Sequence, residues 1–269
     1  MKKVFAIDIS RCTGCYNCQI ACKDEHGEND WMPYAKPQPK AGMFWTKLSE
    51  HVQGTQPKMK IYYIPHRCNH CANPACMKAC GNNAIYVRDD GMVMIDPAKC
   101  KGCGKCVSAC PYEAVSFNEE YKIAQKCTGC AHITDKGGMP RCVDVCPTGA
   151  LKYGTEEELA DFIEGADVLK PEEGTKPRTY YRNIPGQFIA GTLYDPEAEE
   201  IIEGARCILR NGSKIRETRT DDFGDFWFKD LPVGVYELTI EADGYERIIK
   251  EEVRTKQCVN LGDIPAKRA

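Results

Sequence analysis

Apolar and polar positions alternate over the last third of the chain. From about residue 186 the runs FIAGTLYD, GARCILRNG, SKIRETRT, DFWFKDL, VYELTIEA, RIIKEEVRT and CVNLGDI follow one another, separated by the turn signals RNGS, DDFGD, PVG and ADGY. A period of two over short, regularly spaced runs predicts a small β-sandwich over 186–269. Within it, Tyr236, Leu238 and Ile240 are expected to face inward, and Glu237 and Thr239 outward. Residues 155–170, TEEELADFIEGADVLK, carry a helical period instead. Thr155 and Glu158 make a capping box, and Leu159, Phe162 and Ile163 share a face, which predicts a short amphipathic helix. PEEGTKPRTYYRNIPG then predicts an extended strap that ends near 185. Residues 23–67, rich in Pro, Trp and Lys, show no sustained period.

The first 150 residues are organised by cysteine rather than by hydropathy. Residues 12–22 read CTGCYNCQIAC, with spacings x2, x2 and x3. At an offset of 88 residues, Cys12, Cys15, Cys18 and Cys22 map onto Cys100, Cys103, Cys106 and Cys110, and Ile7, Asp8, Gly14 and Ala21 map onto Ile95, Asp96, Gly102 and Ala109. This is an internal repeat. Two looser copies hold Cys68, Cys71, Cys76 and Cys80, and Cys127, Cys130, Cys142 and Cys146, the latter with an eleven-residue loop before its third cysteine. The tails CGNNAIYV, CPYEAVSF and CPTGALKY place Ala84, Ala114 and Ala150 at one distance, each before an aliphatic residue, and read as short strands.

Sixteen of the eighteen cysteines therefore fall into four groups of four. Disulfides would suit a shorter, exported chain. MKKVFAIDIS has no apolar stretch long enough for an export signal and no twin arginine, which favours the cytoplasm. Structural zinc would use paired C-x2-C units and leave the third cysteine of each triplet over. The run C-x2-C-x2-C-x3-C, twice followed by proline (Pro111, Pro147), is the pattern that wraps iron–sulfur cubes: three thiolates on one cube, the fourth on its neighbour. Four [4Fe–4S] clusters are expected. Cys207 and Cys258, outside the groups, are expected to be buried free thiols, and His70 and His132 to pack or hydrogen-bond rather than ligate.

Charge refines this only slightly. The formal net charge is -3, the pI about 6.0 and the mean hydropathy -0.47, so neither a nucleic-acid surface nor a membrane span is indicated. Cubes add about two negative charges each when oxidised. Arg11, Lys23, Arg67, Lys99, Lys101, Lys105, Lys126 and Arg141 stand beside the cysteines, either to offset that charge and raise cluster potentials or as solvated surface groups. Trp31, Tyr34, Phe44 and Trp45 in the insert suit an interface or a cover over the clusters. No Gly-rich phosphate loop and no nucleophile–base pair marks an active site.

The order of the four groups, the long insert after the first and the loop inside the fourth resemble the iron–sulfur subunit of the dimethyl-sulfoxide-reductase family of molybdenum oxidoreductases. AQKCTGCAHITDKGGMPRC and GTKPRTYYRN, followed by a β-sandwich, are similar to the small subunits of its polyphenol transhydroxylases. The resemblance implies an α+β fold: tandem bacterial-ferredoxin-like modules over 1–154 (insert 23–67), a helix and strap over 155–185, and an all-β sandwich of transthyretin-like or Cna-B-like type over 186–269. It implies that the first and fourth groups pair, as do the second and third. One cube would use Cys12, Cys15, Cys18 and Cys146, and its neighbour Cys127, Cys130, Cys142 and Cys22. The second pair would use Cys68, Cys71, Cys76 and Cys110, then Cys100, Cys103, Cys106 and Cys80. It also implies a large catalytic partner, holding molybdenum or tungsten on two pterin guanine dinucleotides and acting on a phenolic substrate, and an external electron donor or acceptor. Transhydroxylase members lack most cysteines of the third group; all four stand here. Two other classes stay open: a free-standing polyferredoxin, and a protein whose clusters are structural or oxygen-sensing. Export together with a signal-bearing partner is the alternative to the cytoplasm.

Overall fold

KVFAID, the first strand β1 (Lys3–Asp8), buries four consecutive residues from Val4 to Ile7. Such a run needs strands on both edges and cover on both faces. The computed structural model describes all 269 residues, which divide into two units: 1–50 with 62–184, and 51–61 with 185–269. After β1 come α1 (Asn17–His26), the hairpin strands β2 (Lys47–Thr55) and β3 (Lys58–His66), α2 (Ala75–Lys78), β4 (Ile85–Val87), β5 (Val93–Ile95), α3 (Lys105–Ser108), β6 (Val115–Asn118), β7 (Ile123–Lys126), α4 (Ala131–Thr134), α5 (Arg141–Asp144), β8 (Leu151–Thr155), α6 (Ala160–Ile163) and β9 (Thr179–Arg182). β1 lies between β8, antiparallel with Phe5 opposite Tyr153, and β9, parallel with Ile7 opposite Tyr181. The tails after the second and third cysteine groups form two small ladders, β4–β5 and β6–β7.

Three local expectations change. The strap is partly a strand: Thr175, Pro177, Thr179 and Tyr181 are buried in alternation, and β9 completes the sheet on β1. The capping box forms, with Thr155 N donating to Glu158 Oε2 at 2.7 Å and Glu158 N to Thr155 Oγ1 at 3.0 Å. Yet Thr155 is held as the end of β8 opposite Lys3, so only one helical turn, α6, follows. The insert without a period contains the β2–β3 hairpin.

The second unit is a sandwich of two four-stranded sheets, built from β10 (Gln187–Asp195), β11 (Glu200–Ile201), β12 (Arg206–Asn211), β13 (Lys214–Arg219), β14 (Asp225–Leu231), β15 (Val235–Glu241), β16 (Ile248–Arg254) and β17 (Val259–Pro265). One sheet runs β11–β10–β14 with β17 parallel to β10, the other β13–β12–β15–β16. Tyr236, Leu238 and Ile240 enter the shared core beside Ile189, Leu193 and Phe226, while Thr239, which alternates with them and lies outside that core, is also buried. The hairpin tip belongs to this unit: Lys58 is buried and paired with Asp225, and Asn260 donates to the carbonyls of Thr55 and Gln56.

Cys207 is wholly buried in the sandwich core, where loss of water pushes its thiol up to about 12. Cys258 departs from expectation: it is only half-buried at the start of β17, its Sγ 3.2 Å from Gln187 Oε1. Cys207→Ala is expected to cost about 1 kcal/mol in denaturant unfolding, through a small cavity, and to leave iron content unchanged. Cys207→Ser is expected to cost more, because the acceptor its thiol faces, the Ala205 carbonyl, is 3.9 Å from sulfur and too far for a hydroxyl.

Candidate iron–sulfur sites

The x3 spacing between third and fourth cysteines is one helical turn, and one turn is what forms in α2, α3 and α5. In α2 and α3 that turn sends the two thiols to different places. Cys68, Cys71 and Cys76 line one cavity together with Cys110 from the other group. Cys100, Cys103 and Cys106 line a second, together with Cys80. The second and third groups thus exchange their fourth cysteines across packed helices. Between first and second cysteines the chain turns through a left-handed residue at one position in all four groups: Gly14, His70, Gly102 and Gly129. The turn brings backbone N–H groups toward sulfur, from His70 to Cys68 at 3.5 Å and from Gly129 to Cys127 at 3.4 Å.

The first and fourth groups meet through α1 and α5, and through β1 against β8. Cys12 is pushed up first by burial and then by the sulfurs of Cys146 and Cys15. Cys130 is pushed up first by burial and then by Cys142, Cys127 and Cys22. These thiols therefore gather as Cys12, Cys15, Cys18 and Cys146, beside Cys127, Cys130, Cys142 and Cys22. Cys22, Cys127 and Cys68 share one apolar cluster, and Cys76 shares another with Cys106, Cys80 and Cys110, so the four sets form a continuous series. Its two ends reach the surface. Of the sixteen thiols only Cys15 and Cys103 are exposed, one in each end set. All of Cys22, Cys127, Cys130 and Cys142 are buried.

Two buried cations lie along this series with no carboxylate to pair them. Arg67 is 2% exposed, its guanidinium 4.3 Å over the Phe5 ring and its Nη1 3.0 Å from Cys142 Sγ, while Nε and Nη2 have no partner. Lys126 is 3% exposed and donates only to the carbonyls of Val93 and Cys127. An unpaired cation in such surroundings costs several kcal/mol. Burial also pushes Cys76 and Cys127 up to about 12, and Cys18, Cys71 and Cys106 to about 11, so these thiols need a metal to become thiolates at neutral pH. An anionic cluster answers both demands. Zinc suits the arrangement less: paired C-x2-C units on one tetrahedral ion would leave the third cysteine of each triplet over. The residues present fit iron–sulfur cubes.

The insert covers the buried sets. Trp45 is buried against Cys22 and Cys127, and the His26 ring lies 4.6 Å from it. Trp31 stacks on His132 at 4.2 Å, and Tyr34 Oη donates to Asp135 at 2.7 Å. Burial, then His132, holds His26 down to about 3, so its ring stays neutral. His132 bonds Glu25 at 3.0 Å, and His70 Nδ1 accepts from Val93 N at 3.0 Å. Of the eight basic residues beside the cysteines, Arg67 and Lys126 are buried, Arg11, Lys99, Lys101 and Lys105 are exposed, and Lys23 and Arg141 lie between. Thr175 and Tyr112 close the cavity at Cys71, bonded to each other at 2.6 Å. The buried alternation of the strap was the signal for Thr175, and its prolines masked it.

A Cβ added to Gly102 would lie 2.2 Å from the Lys122 carbonyl oxygen, at φ +67. Gly102→Ala is therefore expected to displace Cys103 and lose about a quarter of the bound iron by metal analysis. Gly104→Ala has open space at a similar φ, so it should retain iron and cost about 1 kcal/mol. Arg67→Met removes the cation at Cys142. A redox titration followed by electron paramagnetic resonance is expected to find one cube shifted to more negative potential; an unmoved midpoint would remove Arg67 from the account.

Family models match the chain in three places: a 4Fe-4S binding domain over residues 9–29, a 4Fe-4S dicluster domain over 59–156, and a carboxypeptidase regulatory-like domain over 189–262. The chain is 39% identical to the pyrogallol hydroxytransferase small subunit of Pelobacter acidigallici, over 88% of this chain and 90% of that one. It is 34% identical to a tetrathionate reductase subunit of Salmonella typhimurium, over 68% and 73% respectively. It is 38% identical to a subunit of the anaerobic dimethyl sulfoxide reductase of Escherichia coli, over 51% and 65%. With cysteine groups and sandwich both inside the matched length, the chain belongs to the iron–sulfur small subunits of the dimethyl-sulfoxide-reductase family of molybdenum oxidoreductases, in the company of the pyrogallol hydroxytransferase small subunit.

Proposed function

We propose that this chain is an electron-transfer subunit with four [4Fe–4S] clusters, relaying electrons to or from a large catalytic subunit. One cluster is held by Cys12, Cys15, Cys18 and Cys146, the next by Cys22, Cys127, Cys130 and Cys142. Cys68, Cys71, Cys76 and Cys110 hold the third, and Cys80, Cys100, Cys103 and Cys106 the fourth. The observation that carries the reading is the series of four thiol sets, buried in the middle and open at both ends. Clusters of this kind accept and return single electrons, and their surroundings set the potential. The protein supplies those surroundings: N–H donors to sulfur, Arg67 and Lys126 as buried cations, and an aromatic cover that excludes water.

The catalytic partner is proposed to hold molybdenum or tungsten on two pterin guanine dinucleotides and to act on a phenolic compound. Support for the phenol is the pyrogallol hydroxytransferase likeness. A transfer of hydroxyl between phenols has no net redox change and tolerates a broken series. Four complete sets fit a net hydroxylation or reductive dehydroxylation better. The sandwich is read as a transthyretin-like or Cna-B-like module.

Turnover of a phenolic substrate by the purified complex is expected to require an added electron donor or acceptor, followed spectrophotometrically without air. Turnover without one would return the reading to transhydroxylation. Cys110→Ser is expected to perturb the cube of Cys68, Cys71 and Cys76, visible in its paramagnetic spectrum. If only the cube of Cys100, Cys103 and Cys106 changed, the ligand assignment would be wrong.

A further inference from the structure

The two open ends of the series differ in chemistry. Beside Cys15 the exposed residues are Thr13, Tyr16, Asn17 and Ile20; the exposed charges nearby are of opposite sign, Arg11 and Glu50, whose carboxylate accepts from the hydroxyl of Tyr63, the ring against Gly14. Ile20 is 60% exposed and Tyr16 41%. Beside Cys103 the exposed residues are Lys99, Lys101 and Lys105, with Lys78 two residues before Cys80 on the neighbouring helix α2. Lys122, whose backbone carbonyl lies at Gly102, has its ammonium paired with Glu119. The carboxylates nearby are Asp96, 3.4 Å from Lys99, Glu119, 2.8 Å from Lys122, and Glu120. Lys78, Lys101 and Lys105 have no ion pair. Lys101 also lines the cavity of its own set.

We infer that the lysine collar around Cys103 is the docking site of an acidic one-electron carrier protein. The inference rests on the electron-transfer reading above. A permanent subunit interface is apolar at its centre, and the neutral collar at Cys15 suits one. A transient redox encounter is small and is steered by opposite charge. The whole chain is formally -3, and loaded clusters make it more so. An acidic partner is therefore repelled over most of the surface and attracted where lysines exceed carboxylates. In the encounter the carrier loses one electron and the complex gains one, or the reverse; no bond or proton changes hands.

The test is stopped-flow reduction of the purified complex, wild type and Lys78→Glu/Lys105→Glu. Two donors are compared: a dithionite-reduced acidic [2Fe–2S] ferredoxin, and reduced methyl viologen, a small cation. Both proteins are first matched for iron. With ferredoxin at low salt, the variant is expected to react about tenfold more slowly, and the gap to close near 0.5 M salt. With viologen it should react at least as fast as wild type. Equal ferredoxin rates, or a wild-type rate that does not fall with salt, would overturn the port alone. Failure of ferredoxin alone to reduce the wild-type complex would overturn the port; failure of both donors would overturn the electron-transfer reading, and the port with it.

Discussion

The exchange of fourth cysteines is the constraint from which the rest of the first unit follows. No group can complete its own set. In the proposed assignment Cys22 completes the set of Cys127, Cys130 and Cys142, and Cys146 that of Cys12, Cys15 and Cys18, which brings both ends of the cysteine-rich region together. The backbone makes the same demand: the tail after Cys146 becomes β8 and lies against β1, the strand just before Cys12. Sulfur and strand pairing enforce one arrangement, as expected of a chain whose local and long-range preferences agree.

Bringing so many thiols together empties the interior of water and raises the electrostatic stakes. Arg67 and Lys126 would be poor choices for an ordinary apolar core. Between anionic cubes the same two residues offset charge at the places where solvent cannot. Trp45, His26, Trp31 and His132 keep solvent out, and the low pKa of His26 keeps its ring from adding a charge. The series is buried in the middle and open at both ends, the form that the proposed electron path needs.

Much of this was legible in the chain itself. The x2, x2, x3 spacing of the first and third groups, with its looser copies in the second and fourth, is a chemical period as strong as any hydrophobic one, and it marks sixteen cysteines as candidate ligands. The alternating runs after residue 186 likewise announced a sandwich, because each strand buries one face. What stayed hidden depends on distant partners. Pro171 and Pro177 made residues 171–185 read as a strap, although Tyr181 is wholly buried beside Ile7. Gly54 and Pro57 interrupt the hairpin, and its tip is held by Asp225 and Asn260, far along the chain. Arg67 looks like any other basic residue beside a cysteine, and only its surroundings single it out.

Metal analysis of the complex purified without air from its native source tests the central claim most directly. About sixteen irons per chain, with about one molybdenum or tungsten and a co-purifying large subunit, is the predicted result. Zinc in place of iron would contradict the account at its root. Iron without molybdenum, tungsten or a partner would leave a free carrier in place of a subunit.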